Sequence, residues 1–126
     1  EINTAALPVL PQTATLEEEK DTLRHLMTDL VGVLRNETGM KEAIRTISHI
    51  SLVAETKDTK LADMALVARM VAVSALQRKE SRGGHCRTDY PKAMRAWQKR
   101  SFVTLKEIDV QTAKVLSLVA QRESVA

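Results

Sequence analysis

The hydrophobic positions of this chain repeat with the spacing of α-helices. From Leu16 onward, apolar residues recur every three or four positions up to Leu34, so they lie on one face of a helix. Thr15 and Glu18 match a capping box, in which each side chain satisfies the backbone N–H of the other residue. The pattern therefore predicts a first helix that begins after Thr15 and ends at Arg35.

A second apolar stripe follows Gly39 and runs from Met40 to Ala54, where the polar stretch 55–60 ends it. We expect Gly39 to lie in the break between the two helices, because glycine weakens a helix interior. The short connection predicts that the two helices form an antiparallel pair.

The third segment is apolar on all sides. From Met64 to Leu76 only Arg69 and Ser74 are polar, and a helix without a polar face is buried on several sides. The run is too short for the roughly 20 residues that cross a bilayer. It predicts a central core helix, or one covered by a partner outside this chain. Arg69 must reach solvent or meet an acidic or carbonyl group, in this chain or in a partner domain.

The rest of the chain is less regular. The Gly83–Gly84 pair is predicted to end the third helix, because glycine accepts the left-handed geometry of a helix C-terminus. A short helix is expected over Lys92–Lys99 and a brief extended stretch over 102–105. Asp109 then suits the N-cap of a fourth helix that continues to Gln121.

Together these elements predict an all-α fold. It is an up-down bundle of three main helices plus a C-terminal helix, with an irregular Gly-Gly-His loop after the third helix. Residues 1–14 contain Pro8 and Pro11, which favour an extended linker, and residues 15–126 form the helical domain. A length of 126 residues fits one domain with its own core.

Composition narrows the candidate chemistry. Aromatic residues make up only 2% of the chain, so aliphatic side chains must fill the core. The single cysteine, Cys86, excludes an intramolecular disulfide. His25 and His49 stand alone and His85 is adjacent to Cys86, which is not the spacing of a four-ligand zinc site. We therefore expect no metal site and no Cys–His catalytic dyad.

The charge is unevenly distributed. The stretch 77–100 holds eight basic and two acidic residues, a net charge of +6, within a chain whose net charge is +3. Such a stretch suits an anion, a nucleic acid or an acidic protein surface. The few aromatic residues disfavour base stacking, and the glycines follow a helix rather than precede one as in a phosphate-binding loop. These two features make nucleic-acid binding the less favoured interpretation of the basic stretch.

The run RKESRGGHCRTDYP closely resembles a signature in the C-terminal helical region of the flavoproteins of succinate dehydrogenase, fumarate reductase and L-aspartate oxidase. The upstream stretch LRHLMTDLVGVLRNETGMKEAI resembles the first helices of the same family, so the resemblance covers about residues 22–100. The signature residues are Arg78, Glu80, Ser81, Arg82, Gly83, His85, Arg87, Asp89, Pro91 and Trp97.

Within that family, Gly-Gly-His followed by Thr88–Pro91 is more similar to the L-aspartate oxidases than to the dehydrogenases. The resemblance implies a cytoplasmic parent enzyme that uses FAD to oxidise L-aspartate to iminoaspartate, the first step toward quinolinate and NAD. Family members bind the flavin through a Gly-x-Gly-x-x-Gly pattern, which this chain lacks. We therefore expect neither FAD nor a catalytic residue in this chain.

The resemblance also implies a role for the chain's own residues. It predicts a helical domain that docks on the flavin-binding domain of the same polypeptide, with no membrane span and with self-association left open. The equivalent region of a succinate dehydrogenase or fumarate reductase flavoprotein is one alternative, and a free-standing basic helical module that binds nucleic acid or acidic proteins is another. The predicted docking residues are Arg78, Glu80, Ser81, Arg82, Gly83, His85, Arg87 and Asp89.

Overall fold

A computed structural model describes residues 15–55 and 58–125. The predicted linker, residues 1–14, lies outside them. The described residues form helices, two very short strands and a single 3₁₀ turn: α1 (Leu16–Leu30), β1 (Leu34–Arg35), α2 (Glu37–Ala54), α3 (Thr59–Gln77), β2 (Cys86–Arg87), the turn Arg95–Trp97, and α4 (Leu105–Val125).

The first three helices alternate in direction. Lys20 in α1 forms an ion pair of 3.1 Å with Asp58, which caps the N-terminus of α3, so α1 and α3 begin at the same end of the bundle. Glu37 at the start of α2 is linked through Asp89 to the last turn of α3. Helix α2 therefore runs antiparallel to both neighbours, which confirms the predicted up-down arrangement of the three main helices.

The core lies chiefly between α2 and α3. Ile44, Ile47 and Ile50 of α2 are fully buried, and they pack with small residues of α3 such as Ala65 and Ala72. Small side chains let two helices approach closely, and the aliphatic side chains of α1 and α4 complete the cluster. Helix α3 is thus the central core helix that the apolar run predicted.

None of the helices in 15–55 and 58–125 combines the length and the apolar character that crossing a bilayer requires.

The first helix is shorter than predicted. It ends at Leu30, and Val31 leaves the helical conformation. A side chain on Gly32 would collide with the backbone carbonyl of Thr28, so only glycine fits the tight exit from the helix. The apolar stripe misled the prediction because it continues past the exit, where Leu34–Arg35 is the strand β1 rather than a continuation of the helix.

The second helix begins earlier than predicted. Asn36 is its N-cap, and its Oδ1 accepts a hydrogen bond of 2.8 Å from the N–H of Gly39. Gly39 therefore lies in the first turn of α2 and not in the break between helices. The actual connection is 31–36, which contains β1.

The third helix ends before the glycines. It stops at Gln77, and Arg78 is extended. Gly83, with φ of 57°, and Gly84 instead form a tight turn that brings Arg82 and His85 into paired backbone hydrogen bonds of 2.7 and 3.0 Å. The prediction was right about the left-handed glycine but wrong about the element that it terminates.

The last helix starts at Leu105. Thr104 and Glu107 form the capping box, with the Glu107 carboxylate accepting from the Thr104 N–H at 2.6 Å. Asp109 is therefore inside α4 and is not its cap. The expected extended stretch 102–105 is not a strand, and the short helix expected over Lys92–Lys99 is reduced to the 3₁₀ turn at its centre.

Arg69 meets an acidic partner from its own chain. Its side chain is 12% exposed, and Nη1 lies 2.9 Å from Oδ1 of Asp109 in α4. The expectation that the guanidinium reaches solvent is therefore wrong, while the alternative of an acidic group is confirmed. The pair attaches α4 to the middle of α3.

We expect Asp109→Asn to lower the free energy of unfolding by about 1 kcal/mol, because it leaves a mostly buried guanidinium without its counterion. In an Arg69→Met background, where that charge is absent, the same substitution is expected to have almost no effect. Urea unfolding of the four proteins in this double-mutant cycle measures the coupling. Equal costs in both backgrounds would contradict a functioning ion pair.

Candidate functional site

The eight predicted docking residues come together in one structure. They belong to the loop 78–91, called here the polar loop, at the end of the bundle where α3 ends and α2 begins. Strand β2 within this loop pairs in parallel with β1, in the register Leu34 with Cys86 and Arg35 with Arg87. Backbone hydrogen bonds therefore join the polar loop to the connection between α1 and α2.

Arg87 caps the C-terminus of α3. The residue is 1% exposed, and its Nη1 donates to the carbonyl oxygens of Leu76 at 2.8 Å and Ala75 at 3.3 Å. The last carbonyls of a helix have no partner within the helix and form the negative end of its dipole. A buried guanidinium at this position satisfies both the hydrogen-bonding groups and the charge.

Asp89 binds Arg87 and also caps the N-terminus of α2. Its two oxygens accept from Arg87 Nε at 2.8 Å and Nη2 at 2.7 Å, and Oδ2 also accepts from the N–H of Glu37 at the start of α2 at 3.1 Å. The hydrogen bond from Arg87 is the main reason that the pKa of Asp89 falls to about 2. One ion pair thus connects the C-terminus of α3 to the N-terminus of α2.

Glu80 is the centre of a second cluster and is completely buried. Its carboxylate accepts from Arg82 Nε at 3.0 Å and Nη2 at 3.1 Å, from Arg78 Nε at 2.9 Å, and from the N–H of Met94 at 2.8 Å. These donors, Arg82 first, lower the pKa of Glu80 to about 2 against the opposing effect of burial.

Arg78 extends this cluster to the following segment. It donates to the carbonyl oxygens of Trp97 and Lys99 and to the hydroxyl of Ser101, and its guanidinium lies 5.5 Å from the centroid of the Trp97 ring. Arg78 therefore ties the polar loop to the segment that leads to α4, in addition to the hydrogen bonds of Glu80 and Arg82 with Met94. Trp97 acts here through both its carbonyl group and its ring.

Ser81 closes the polar loop on itself. Its Oγ accepts a hydrogen bond of 2.8 Å from the N–H of Arg87 and lies 2.7 Å from the carbonyl oxygen of Tyr90, to which it donates. The Arg87 guanidinium also lies 4.9 Å from the centroid of the Tyr90 ring. The Ser-Arg-Gly-Gly-His turn is therefore fixed from both sides.

His85 joins the polar loop to β1 through Arg35. Arg35 Nη1 is 2.8 Å from His85 Nδ1, and His85 Nε2 is 3.0 Å from the carbonyl oxygen of Arg78. A guanidinium only donates, so Nδ1 accepts and the proton of this neutral ring is on Nε2. Arg35 was not among the predicted docking residues, although it is the arginine that follows Val-Gly-Val in the family-like stretch upstream.

The geometry favours a structural clamp over a reactive site. Each of Arg78, Arg82 and Arg87 already donates to a carboxylate within the chain. No group of three or more His, Cys, Asp or Glu side chains in the described residues is placed to hold a metal ion. Of the three arginines Arg82 is also partly exposed, and the exposed cations of the stretch 77–100 without a place in the clamp are Lys79, Lys92, Arg95, Lys99 and Arg100.

The described residues also do not fit a flavin. FAD sites of the Rossmann type place glycines between a strand and the N-terminus of a helix, where backbone N–H groups meet the pyrophosphate. Here Gly83 and Gly84 lie between the C-terminus of α3 and the two-residue strand β2. No helix N-terminus follows them directly, so the polar loop lacks the cradle that the cofactor requires.

We expect Arg87→Ala to lower the free energy of unfolding by about 3 kcal/mol, because it leaves the Asp89 carboxylate and the last carbonyls of α3 without their donor. The matched control is Arg24→Ala, since Arg24 forms an exposed pair with Asp21 that contributes less than about 1 kcal/mol. Urea unfolding of both variants tests the difference. Similar losses would show that Arg87 is no more important than a surface arginine.

The carboxylates of Glu80 and Asp89 make the free energy of unfolding depend on pH in the acidic range. Both have a pKa of about 2 in the folded protein, below their ordinary values of 4.5 and 3.8. Their contribution is therefore fully present above the ordinary values and is lost as the pH falls toward about 2.

We accordingly expect the difference in unfolding free energy between the natural protein and Glu80→Gln to be largest at neutral pH. It should shrink as the pH falls from about 4.5 to about 2, because the natural carboxyl then takes up a proton on unfolding. Urea unfolding at a series of pH values measures this difference. A difference that stays constant across the range would show that the Glu80 carboxylate is not stabilised by its arginines.

Comparisons with known proteins identify the family of this chain. Residues 54–123, which include α3, the polar loop and most of α4, match the family model described as fumarate reductase flavoprotein C-term. The chain is similar to an L-aspartate oxidase of Mesorhizobium japonicum, with 36% identity over 84 residues, or 67% of this chain and 16% of the relative. No solved structure gives a significant match.

Two further relatives each match more than two thirds of the chain. An L-aspartate oxidase of Xylella fastidiosa is 32% identical over 117 residues, which is 93% of this chain and 20% of the relative. An uncharacterized FAD-dependent oxidoreductase of Methanocaldococcus jannaschii is 34% identical over 98 residues, or 70% of this chain and 18% of the relative. The chain therefore spans about a fifth of the relatives it matches. It belongs to the C-terminal domain family of the succinate dehydrogenase and fumarate reductase flavoproteins, which includes the L-aspartate oxidases.

Proposed function

We propose that this chain is the C-terminal helical domain of a cytoplasmic, FAD-dependent L-aspartate oxidase. The parent polypeptide would oxidise L-aspartate to iminoaspartate, on the route to quinolinate and NAD. FAD, held outside this chain, would take up the two electrons and pass them to oxygen or fumarate. The chain itself supplies no reacting group.

The single observation that carries this proposal is the agreement between the polar loop and the relatives. Two relatives that together cover most of the chain are named L-aspartate oxidase, and the family match includes the whole loop. Within this loop, the buried Glu80 and Arg87 bind the side chains of Arg78, Arg82 and Asp89.

The proposed role of the chain is structural docking on the flavin-binding domain. Arg78, Arg82 and Arg87 are paired with Glu80 and Asp89 inside the polar loop. These pairs hold the loop in one shape, so its surface is formed before any partner binds. The exposed cations Lys79, Lys92 and Arg95 lie around this rigid surface and suit an acidic protein face. A preformed surface binds with less loss of conformational entropy than a mobile loop.

The nearest alternative is the corresponding region of a succinate dehydrogenase or fumarate reductase flavoprotein. The description of the matching family fits this alternative as well as it fits an L-aspartate oxidase. The two enzymes differ in the substrate that they oxidise. A free-standing nucleic-acid module is less favoured, because Arg78, Arg82 and Arg87 are committed to Glu80 and Asp89 and are not available to phosphates.

The test is to produce the complete polypeptide that carries this chain and to measure its flavin absorbance and its turnover. We expect bound FAD, and oxidation of L-aspartate with oxygen or fumarate as the electron acceptor. Turnover of succinate without turnover of L-aspartate would support the dehydrogenase alternative instead. A polypeptide that binds no flavin would overturn both enzymatic assignments.

A matched pair of variants tests the structural role. Arg87→Ala in the complete polypeptide is expected to reduce the flavin content and thermal stability while leaving the KM of the remaining active enzyme unchanged, since Arg87 touches neither substrate nor cofactor. Lys114→Ala, at an exposed position on α4, should change none of these quantities. An altered KM for L-aspartate in Arg87→Ala would contradict a purely structural role.

A further inference from the structure

An apolar groove lies on the opposite side of the core from α2, between α1 and α3. It occupies about 660 Å³, and it is called here the α1–α3 groove. Val67 is 60% exposed and Val71 is 42% exposed along one wall, although neighbouring residues of α3 are fully buried. Its apolar lining consists of Leu23, Met27, Met64, Val67, Ala68 and Val71.

The edge of the groove is polar and carries both signs of charge. Lys60 and Asp63 flank it on α3, and Arg24, paired with Asp21, flanks it on α1. An apolar centre surrounded by mixed charges is the usual composition of a protein–protein contact. A membrane surface or a nucleic acid would select a strong excess of basic residues, as in the stretch 77–100. The groove lining holds only two basic side chains against one acidic one, and Arg24 is already paired with Asp21.

The size of the groove distinguishes between two protein occupants. From Lys60 to Val71 the groove follows α3 for about 17 Å, and a helix is about 10 Å wide, so the contact area is on the order of 200 Å². A stable complex of separate proteins buries about 800 Å² on each partner. A second copy of this chain would therefore bind the groove weakly, whereas a covalently connected segment gains an effective concentration of about millimolar and requires no such area.

The position of the groove also favours a connected occupant. Lys20 and Asp58 hold the N-terminus of α1 beside the N-terminus of α3, so the polypeptide enters the described structure at Thr15, at one end of the groove. The relatives that this chain matches are about five times as long as the matched region. A polypeptide of that length has ample protein surface to reach this end of the bundle.

We infer that the α1–α3 groove is an interdomain contact, filled by aliphatic side chains from the flavin-binding part of the same polypeptide. This inference rests on the proposed function and assigns it a second surface, distinct from the polar loop at the end of α3. The occupant supplies an apolar ridge for Met27, Met64, Val67 and Val71, bordered by polar groups that match Lys60 and Asp63.

The test measures how fast a maleimide reacts at Val67→Cys in the complete polypeptide, in a Cys86→Ser background. Val67 is exposed in the described structure, so the substitution leaves the core intact. We expect a rate at least tenfold slower than that of Lys114→Cys, an exposed position on α4, with the difference abolished in denaturant. Equal rates for the two native variants would overturn the inference.

Two further measurements separate the alternatives. The 126-residue chain carrying Val67→Cys should react as fast as Lys114→Cys at every protein concentration; a rate that falls as the concentration rises would identify a second copy as the occupant and overturn the inference. Flavin absorbance and L-aspartate turnover of the same polypeptide report on the proposed function separately. A protein that binds flavin and oxidises L-aspartate, but leaves Val67→Cys reactive, would refute only the groove assignment.

Discussion

The structure depends on one ion pair that connects two helix ends of opposite polarity. Arg87 sits at the negative end of α3, Asp89 sits at the positive end of α2, and the two side chains bind each other. Each charge is thereby compensated three ways: by its partner, by a helix dipole and by backbone hydrogen-bonding groups. Burial of a guanidinium is ordinarily unfavourable, and this geometry is what makes it tolerable at this end of the bundle.

The second cluster, around Glu80, follows from the first. Beyond the end of α3 the chain leaves the bundle as an irregular loop. There the buried carboxylate of Glu80 accepts hydrogen bonds from two arginines and from one backbone N–H. Three of the basic residues in the stretch 77–100 therefore form ion pairs within the chain. The lysines and arginines outside the two clusters, together with the exposed part of Arg82, make up the electrostatic surface of this end of the bundle.

Periodicity predicted the fold class, the number of main helices and the central position of α3, because these depend on which side chains are apolar. It failed at the boundaries for reasons that are local. The stripe could not show that α1 stops at Leu30, since an apolar strand residue and an apolar helix residue look alike in sequence. Nor could it show that Asp109 pairs with Arg69, because both residues also fit as a cap and a surface charge. The signature residues of the polar loop were predictable as a group. Their individual contacts, and the hydrogen bond of Arg35 with His85, could be found only from the structure.

The polar loop has a consequence for how the molecule acquires its structure. Arg35 and His85 are 50 residues apart in sequence, and Glu37 and Asp89 are 52 apart. Contacts of such separation form slowly, since a long loop must close before they gain anything. We therefore expect the helices to pack against one another first and the polar loop to close on the bundle afterwards. A chain interrupted during synthesis after Gln77 would hold three helices and no polar loop, and it would be an early target for quality-control proteases.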